Sequence, residues 1–312
     1  MITQKFIEEI LSQKHQSIAR AISIVQDNNT EDVESILSKI YNKTGNAYRI
    51  GITGPPGAGK SSIANEVIKL LSPNNSVAVL SVDPTSPFTG GAILGDRIRM
   101  LEHYDNPNVF IRSIGSRGSK GGLADNISFA GDILDAAGFD IIIFETVGVG
   151  QIELDIMETS DSTVVVLVPE SGDDIQILKA GMMEIADIFV INKSDRDGSD
   201  KIKLSLSNFL SILPNDAKEW APKVIKTSVY EKYGFEELIK VLFERQSYLE
   251  SSGEKNKKDQ ARYTRQIENI ISVNLNKTFW SQNRRKVLEE ELQMDTLERE
   301  NPLILVKKLM DE

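Results

Sequence analysis

Short apolar runs rich in isoleucine and valine recur between residues 47 and 248, and several lack the polar alternation of a half-exposed sheet. Such strands are typically covered on both faces. The runs are YRIGIT, SVAVLSVD, VFIRSI, FDIIIFE, STVVVLV, DIFVIN and KVIKTS. Helical patterns separate them at residues 60–71, 95–104, 122–137, 174–184, 201–213 and 235–248. The alternation predicts an α/β fold with a mainly parallel sheet and helices on both faces.

Helical patterns also flank this alternating region. Residues 2–26 repeat apolar positions at helical spacing, and Thr30 opens a second helix after a polar break. The charged stretch at 250–266 predicts a solvated linker or an exposed helix, and an apolar helical tail follows it. The apolar surface of that tail favours packing against a partner. We therefore predict three regions: an N-terminal helical pair at 1–46, a central domain at 47–248 and a C-terminal helical arm at 249–312.

Composition and charge exclude several classes of function. The 312-residue chain has 36 basic and 46 acidic residues, a formal net charge of −10, and no basic patch that would attract nucleic acid or anionic lipid. It has no cysteine, and its two histidines are too few for a transition-metal site. The charged N-terminus is unlike a signal peptide, and no apolar run reaches the roughly 20 residues of a membrane span. The sequence predicts a cytoplasmic protein that binds neither nucleic acid nor membrane.

The stretch RIGITGPPGAGKSS follows the first predicted strand and precedes a predicted helix. It contains the complete phosphate-loop pattern G-x-x-x-x-G-K-[ST] in the context that the pattern requires. The glycines let backbone N–H groups point at an anion, and the helix N-terminus adds its dipole. Lys60 reaches the outer phosphates, and the Ser61 hydroxyl can ligate Mg²⁺. The predicted triphosphate-binding residues are Gly54, Pro55, Pro56, Gly57, Ala58, Gly59, Lys60, Ser61 and Ser62.

The tetrapeptide NKSD at residues 192–195 follows a predicted strand and indicates the base. Its carboxylate can accept from both N1–H and the exocyclic amine of guanine, whereas adenine would leave it unpaired. Its lysine stem can cover the base, and its asparagine can tie this loop to the phosphate loop. The segment KTSV after the next strand either supplies a backbone N–H to the guanine oxygen or is a plain strand end. The predicted residues for GTP and GDP are Asn192, Lys193, Asp195, Thr227, Ser228 and Val229.

Acidic residues follow two further strands at the same edge of the predicted sheet. Asp83 ends one strand, and Glu145 ends another and is followed by Gly148. Carboxylate oxygens suit the Mg²⁺ that accompanies nucleotide phosphates, although a single strand-end carboxylate is often only a solvated charge. The stretch ETVG is similar to the D-x-x-G of GTP-sensing loops. Loops 84–95 and 170–179 are candidate switches that the γ-phosphate would order and hydrolysis would release. The second loop carries Lys179, which is either a cation directed toward the phosphates or a surface helix residue.

Longer stretches resemble the methylmalonyl-CoA mutase-associated GTPases, the MeaB/ArgK group of P-loop metallochaperone GTPases. They are GITGPPGAGKSS, VAVLSVDPTS, GGAILGDRIRM, AAGFDIIIFETVGVGQ, SGDDIQILKAGMMEIAD and NKSD, within residues 51–195. The resemblance implies a Mg²⁺-dependent GTPase, slow without its partner, that chaperones an adenosylcobalamin-dependent acyl-CoA mutase. Such a protein gates cofactor loading, protects the mutase, and meets adenosylcobalamin only through the mutase. The resemblance also implies a homodimer built through the C-terminal arm.

The same resemblance assigns roles to individual residues. It implies that Asp83, Asp96 and Glu145 hold Mg²⁺ with Ser61 and sense the nucleotide. It implies that Lys179 belongs to a third switch and approaches the nucleotide when the partner binds. The expected catalytic residues are Lys60, Glu145, Lys179 and Asp96. The chain departs from the family pattern at ESGDDIQILK, at SKGGLADNISF and beyond residue 250, which bears on partner choice and dimer geometry.

Three other functions match parts of the pattern. An ATP-dependent kinase linked to arginine or ornithine transport keeps the phosphate loop but conflicts with Asp195. A nickel-insertion GTPase requires cysteine or histidine clusters that this sequence lacks. A nucleotide-binding scaffold without turnover stays open, because Gln151 is only a candidate for positioning the attacking water.

Overall fold

Seven strands in the described part of the chain run parallel and form one sheet. This computed structural model describes residues 2–27, 30–84, 100–116, 122–146, 158–169, 185–212 and 220–311. The strands are β1 (Tyr48–Thr53), β2 (Val77–Pro84), β3 (Val109–Ser116), β4 (Ile141–Thr146), β5 (Ser162–Leu167), β6 (Ile188–Ile191) and β7 (Lys223–Lys226). Their order is β3-β2-β4-β1-β5-β6-β7. The predicted parallel α/β sheet is confirmed.

Ten helices accompany the sheet in the described ranges. They are α1 (Gln4–Leu11), α2 (His15–Gln26), α3 (Thr30–Ile40), α4 (Lys60–Leu71), α5 (Gly122–Ala136), α6 (Ser199–Ile212), α7 (Phe235–Ser252), α8 (Glu254–Phe279), α9 (Gln282–Gln293) and α10 (Pro302–Asp311). Four predicted helices correspond to α4, α5, α6 and α7. The helix predicted at 174–184 lies outside the described residues. Of the helix predicted at 95–104, the described part contains a short 3₁₀ turn at Leu101–His103.

The N-terminal region contains three helices, so the predicted pair is wrong in number. The sequence predicts one helix over residues 2–26, but the structure interrupts it between Leu11 and His15. Gln13 adopts a positive φ of 57°, which an α-helix does not contain. Its side-chain Nε2 donates a hydrogen bond to the Gly138 carbonyl at 2.7 Å. Apolar spacing alone did not reveal the break, because the spacing continues from α1 into α2.

Helices cover both faces of the sheet, which explains the continuous apolar strands. Every residue of β1, β4, β5 and β6 is buried. Ile143 belongs to the core on one face, together with Val67 of α4 and Leu238 of α7. The preceding residue, Ile142, belongs to the core on the other face, together with Ile22 of α2. Neighbouring residues of one strand thus point to opposite faces and both are buried.

A buried arginine inside β1 joins the sheet to α5. Arg49 is 1% exposed, and its Nη2 lies 2.8 Å from Asp132 Oδ1 and 2.9 Å from Asp135 Oδ2. Burial lowers the pKa of Arg49, but the two carboxylates outweigh burial and raise it overall. Asp135 also accepts hydrogen bonds from the backbone N–H groups of Gly45 and Ala47, at 2.9 and 3.0 Å. The ion pairs therefore fix α5 to the segment that enters β1.

Replacing Arg49 with methionine should lower the free energy of unfolding by about 3–5 kcal/mol, because two buried carboxylates lose their cation. Urea denaturation measures the change. The control is Arg20→Met, since Arg20 is exposed on α2 and lies over the Phe6 ring. That control should cost less than about 1 kcal/mol. Equal losses in the two variants would contradict a special role for the buried pairs.

The described chain forms two units, residues 1–262 and 263–312. In the first unit, Asp161 lies just before β5 and fixes the start of α8. Arg262 Nη2 lies 2.6 Å and Lys255 Nζ 3.2 Å from Asp161 Oδ1. Burial alone would raise the pKa of Asp161, but Arg262, Lys255 and Arg49 hold it below its ordinary value. The predicted boundaries after residues 46 and 248 remain predictions.

The second unit contains the C-terminal part of α8 together with α9 and α10. Helix α8 is continuous through residues 254–266, which the sequence predicts as a linker or an exposed helix. Large exposed apolar side chains of this unit include Ile270, Ile271, Leu275, Leu297, Leu303, Val306 and Met310. The homodimer through this arm remains a prediction. No helix in the described ranges combines the length and apolar content that a membrane span needs.

Candidate nucleotide-binding site

The phosphate loop connects the carboxyl end of β1 to the amino end of α4, and close packing requires glycine at two of its positions. Gly54 and Gly59 have φ values of 141° and 88°. A Cβ atom on Gly54 would lie 2.1 Å from the carbonyl oxygen of Val166 in β5. A Cβ atom on Gly59 would lie 2.4 Å from Asn192 Nδ2. The loop backbone therefore packs directly against β5 and against the residues that follow β6.

Lys60 begins α4 and reaches back across the loop. Its side chain is buried, and Nζ donates to the carbonyl oxygens of Gly54 at 2.8 Å and Pro55 at 3.1 Å. The lysine thus places a positive charge beside the N-terminus of a helix. In contrast, Pro56 and Gly57 at the tip of the loop are exposed, as is Ser62. A cation, a helix dipole and a glycine loop together suit a polyphosphate.

The candidate metal ligands Ser61 and Glu145 are in direct contact. Both side chains are buried, and the Ser61 hydroxyl donates a short hydrogen bond to Glu145 Oε1. The Ser81 hydroxyl in β2 lies 3.4 Å from Glu145 Oε2 and donates to it. A serine hydroxyl and a carboxylate are the hard oxygen ligands that Mg²⁺ prefers, so this pair fits the ion. Ser81 was missed by the sequence analysis, although a serine within an apolar strand is a visible signal.

Among the remaining acidic and switch candidates, Asp83 is the one that lies within the described residues. Asp83 lies at the carboxyl end of β2, paired with Gly115 of β3, two residues beyond the Ser81–Glu145 pair of β2 and β4. Its backbone therefore lies at the same edge of the sheet as Glu145. The candidates outside the described residues are Asp96, Gly148, Gln151 and Lys179.

Asn192 connects the predicted base-binding loop to the phosphate loop. Its side chain is buried at the carboxyl end of β6, and Nδ2 donates to the Ala58 carbonyl at 2.9 Å. Its Oδ1 accepts from the Thr227 hydroxyl at 3.3 Å. Next to it, the partly exposed Lys193 adopts a positive φ of 53°. Residues that follow β1, β6 and β7 thus meet at the carboxyl edge of the sheet, where ligands of open α/β sheets bind.

Asp195 is exposed, and a buried residue holds its carboxylate. The Ser228 hydroxyl donates to Asp195 Oδ1 at 2.5 Å. Within the described residues the second oxygen, Oδ2, has no hydrogen-bond partner. The carboxylate is therefore oriented by one serine and keeps an acceptor for a ligand. The sequence analysis named Ser228 for its backbone and missed this use of its hydroxyl.

The three predicted N–H donors to the guanine oxygen differ in their hydrogen bonding. The Thr227 N–H donates to the Ile191 carbonyl at 2.9 Å, and the Ser228 N–H donates to the Tyr233 carbonyl at 3.2 Å. In the described part of the chain, the Val229 N–H makes no hydrogen bond. Val229 is thus the candidate donor among the three, and the contact itself remains a prediction.

Comparison with known proteins decides the family. The family model described as methylmalonyl Co-A mutase-associated GTPase MeaB matches residues 18–284. The chain belongs to this family. A putative GTPase of Pyrococcus abyssi is 47% identical over 271 residues, which cover 86% of this chain and 83% of the relative. GTPase ArgK of Escherichia coli is 36% identical over 244 residues, which cover 76% of this chain and 74% of the relative.

Two further matches extend the comparison of this MeaB-family chain. A mitochondrial protein of Caenorhabditis elegans, named methylmalonic aciduria type A homolog, is 32% identical over 88% of this chain and 74% of the relative. A solved structure named LAO/AO transport system kinase is 25% identical, has a TM-score of 0.70, and covers 100% of this chain and 98% of the other. This protein is a P-loop GTPase, and the predicted GTP hydrolysis is confirmed.

Proposed function

We propose that this GTPase is a chaperone of an adenosylcobalamin-dependent acyl-CoA mutase, of the methylmalonyl-CoA type, that gates cofactor loading and protects the mutase. The observation that carries the proposal is the match to a mutase-associated GTPase family over residues 18–284. The name of the Caenorhabditis elegans relative supports the same association. The switch loops that such a role requires follow the strands whose ends form the nucleotide site.

In the proposed site, each group of residues has one task. The amides of residues 54–59 and the Lys60 ammonium bind the phosphates, while Asp195 accepts from the guanine edge. Ser61 and Glu145, with Asp83 and Asp96 as the further proposed acids, would hold Mg²⁺. When bound, Mg²⁺ neutralises charge on the β- and γ-phosphates. These residues would together hold the triphosphate at the carboxyl edge of the sheet.

The proposed coupling to the partner runs through Lys179. A cation that reaches the γ-phosphate only in a complex accelerates hydrolysis in other GTPases by about 10³–10⁵. Lys179 is the proposed counterpart here, because its loop follows β5, the strand beside the phosphate loop. Hydrolysis and partner binding would then be linked, and GTP turnover would report each productive encounter.

Neither histidine favours a nickel-insertion role. The His15 ring packs against the Phe110 and Phe139 rings, with centroids 5.3 and 6.3 Å away, and burial lowers its pKa. His103 Nε2 is hydrogen-bonded to Asn65 Oδ1 at 2.8 Å. Both rings are explained by contacts within the fold. The chain has no cysteine to add to them.

Steady-state GTP hydrolysis with and without a cobalamin-dependent acyl-CoA mutase tests the proposal. We expect the mutase to raise the rate at least about tenfold, and Lys179→Ala to remove most of that increase. A Lys60→Ala sample with mutase corrects for contaminating hydrolysis. No stimulation by methylmalonyl-CoA or related mutases would contradict the chaperone role. Transfer of labelled phosphate to arginine would instead support the kinase alternative.

A further inference from the structure

Hydrogen bonds connect the loop after β6 to the loop after β7. They come from the residue at position x of the N-K-x-D pattern, which the pattern does not specify. Ser194 occupies the variable position of that pattern and is buried. Its backbone N–H donates to the Thr227 carbonyl at 3.1 Å, and its hydroxyl donates to the same oxygen at 2.8 Å. Ser194 therefore fixes the first loop to the second, one residue before Asp195.

Tyr233 extends this contact from the far end of the second loop. Its hydroxyl is hydrogen-bonded to the Ser194 hydroxyl. A serine hydroxyl has one proton, and that of Ser194 is directed at the Thr227 carbonyl, so Tyr233 is the donor. The result is a directed chain from Tyr233 Oη through Ser194 Oγ to the Thr227 carbonyl oxygen. Consecutive hydroxyl hydrogen bonds of this kind polarise and strengthen each other.

The backbone positions Tyr233 independently of its hydroxyl. Ser228 and Tyr233 form an antiparallel bridge with two backbone hydrogen bonds of 3.2 Å. Gly234 follows with a φ of 85°, and a Cβ atom there would lie 2.0 Å from the Lys226 carbonyl oxygen. The loop is thus closed against the end of β7 by main-chain contacts. Removing the phenolic oxygen should leave this closure intact.

Asp195 is linked to both loops, through its neighbour Ser194 in one and through a hydrogen bond from Ser228 in the other. It follows Ser194 in the chain, and its Oδ1 accepts from the hydroxyl of Ser228, which also forms the bridge to Tyr233. Asp195 itself is exposed, whereas Ser194 and Ser228 are buried. The position and plane of the carboxylate therefore depend on how these two serines are held relative to each other.

We propose that Tyr233 is a positioning residue for guanine recognition. Through Ser194 it fixes the loop that carries Asp195 relative to the loop that carries Ser228, so that the carboxylate meets N1–H and the exocyclic amine together. This inference rests on the proposed assignment of guanine to Asp195. Without the Tyr233 hydroxyl, the Ser194 hydroxyl loses its donor and the carboxylate is less firmly oriented.

The test compares GTP with ITP, because inosine differs from guanosine only by lacking the exocyclic amine. Calorimetry on Tyr233→Phe should show GTP affinity reduced about three- to tenfold and ITP affinity reduced less, so that the GTP/ITP ratio falls. Ser194→Ala should lower the ratio similarly, and the double variant should lose little more than either alone. Ser194→Thr keeps the hydroxyl and should keep the ratio. The control is Tyr230→Phe, since Tyr230 is 89% exposed in the same loop.

Equal losses of GTP and ITP affinity in Tyr233→Phe would indicate a purely structural role and overturn the inference. Unchanged affinities for both nucleotides, or the same change of the ratio in Tyr230→Phe, would also overturn it. Asp195→Asn distinguishes a wrong role for Tyr233 from a wrong assignment of the base. If Asp195→Asn abolishes the preference for GTP over ITP while Tyr233→Phe leaves the GTP/ITP ratio unchanged, only the role of Tyr233 is wrong. If Asp195→Asn leaves the ratio intact, the assignment of the base is wrong as well.

Discussion

Replacing Lys60 with alanine should lower the affinity for GTP at least about 100-fold. A hydrogen bond to a charged group contributes about 1.5–3 kcal/mol, and the ammonium also supplies the charge that offsets the outer phosphates. Lys60 Nζ already lies within hydrogen-bonding distance of the Gly54 and Pro55 carbonyls, so the charge is held at the loop before a ligand binds. Titration calorimetry with GTP and Mg²⁺ measures the loss.

The matched control for Lys60→Ala is Lys69→Ala on the same helix. Lys69 is exposed near the other end of α4, where Nζ lies 2.8 Å from Glu66 Oε1 and 3.1 Å from Glu102 Oε1. Its loss should leave GTP affinity within about twofold, because exposed ion pairs contribute little. An unchanged affinity in Lys60→Ala would show that the phosphates bind elsewhere.

Replacing Asp195 with asparagine should reverse the preference of the site from GTP to XTP. Xanthine carries a carbonyl where guanine carries its amine, and an amide can donate to that carbonyl. Ser228 should set the orientation of the new amide, because its hydroxyl donates a hydrogen bond to the side chain at position 195. The amide oxygen should therefore face Ser228, and the NH₂ group should face the base. Because unpaired polar groups cost about 1–3 kcal/mol each, the GTP/XTP affinity ratio should change at least about 100-fold.

The control for this exchange is Asp197→Asn, two residues further along the same exposed loop. It makes the same chemical change and should leave both affinities unaltered. GTP, XTP and ATP are titrated in parallel against each variant. If Asp195→Asn retains the preference for GTP, the carboxylate does not read the base.

Much of the fold follows from local sequence patterns, and the exceptions share one physical cause. The apolar strands β1, β4, β5 and β6 predicted a covered parallel sheet, because two buried faces leave no polar alternation. The partners of Arg49 lie 83 and 86 residues away in the chain, so no local pattern reveals that its charge is neutralised. The break at Gln13 likewise depends on a distant acceptor, the Gly138 carbonyl.

The candidate site shows the same division. The phosphate loop and the N-K-x-D tetrapeptide were identified by their spacing, because the chemistry of each is contained in a few consecutive residues. The side chains that orient them come from elsewhere: Ser81 lies 64 residues from Glu145, and Ser228 lies 33 residues from Asp195. Their use depends on which strands become neighbours, and that order appears only in the folded sheet.

The crystal structure of the unmodified protein with GDP and Mg²⁺ tests the central claim most directly. We predict the diphosphate in the loop of residues 54–61, the guanine edge within hydrogen-bonding distance of both Asp195 carboxylate oxygens, and its carbonyl oxygen facing the Val229 N–H. A base bound away from residue 195, with the phosphates still in the loop, would contradict the assignment of guanine recognition to this carboxylate.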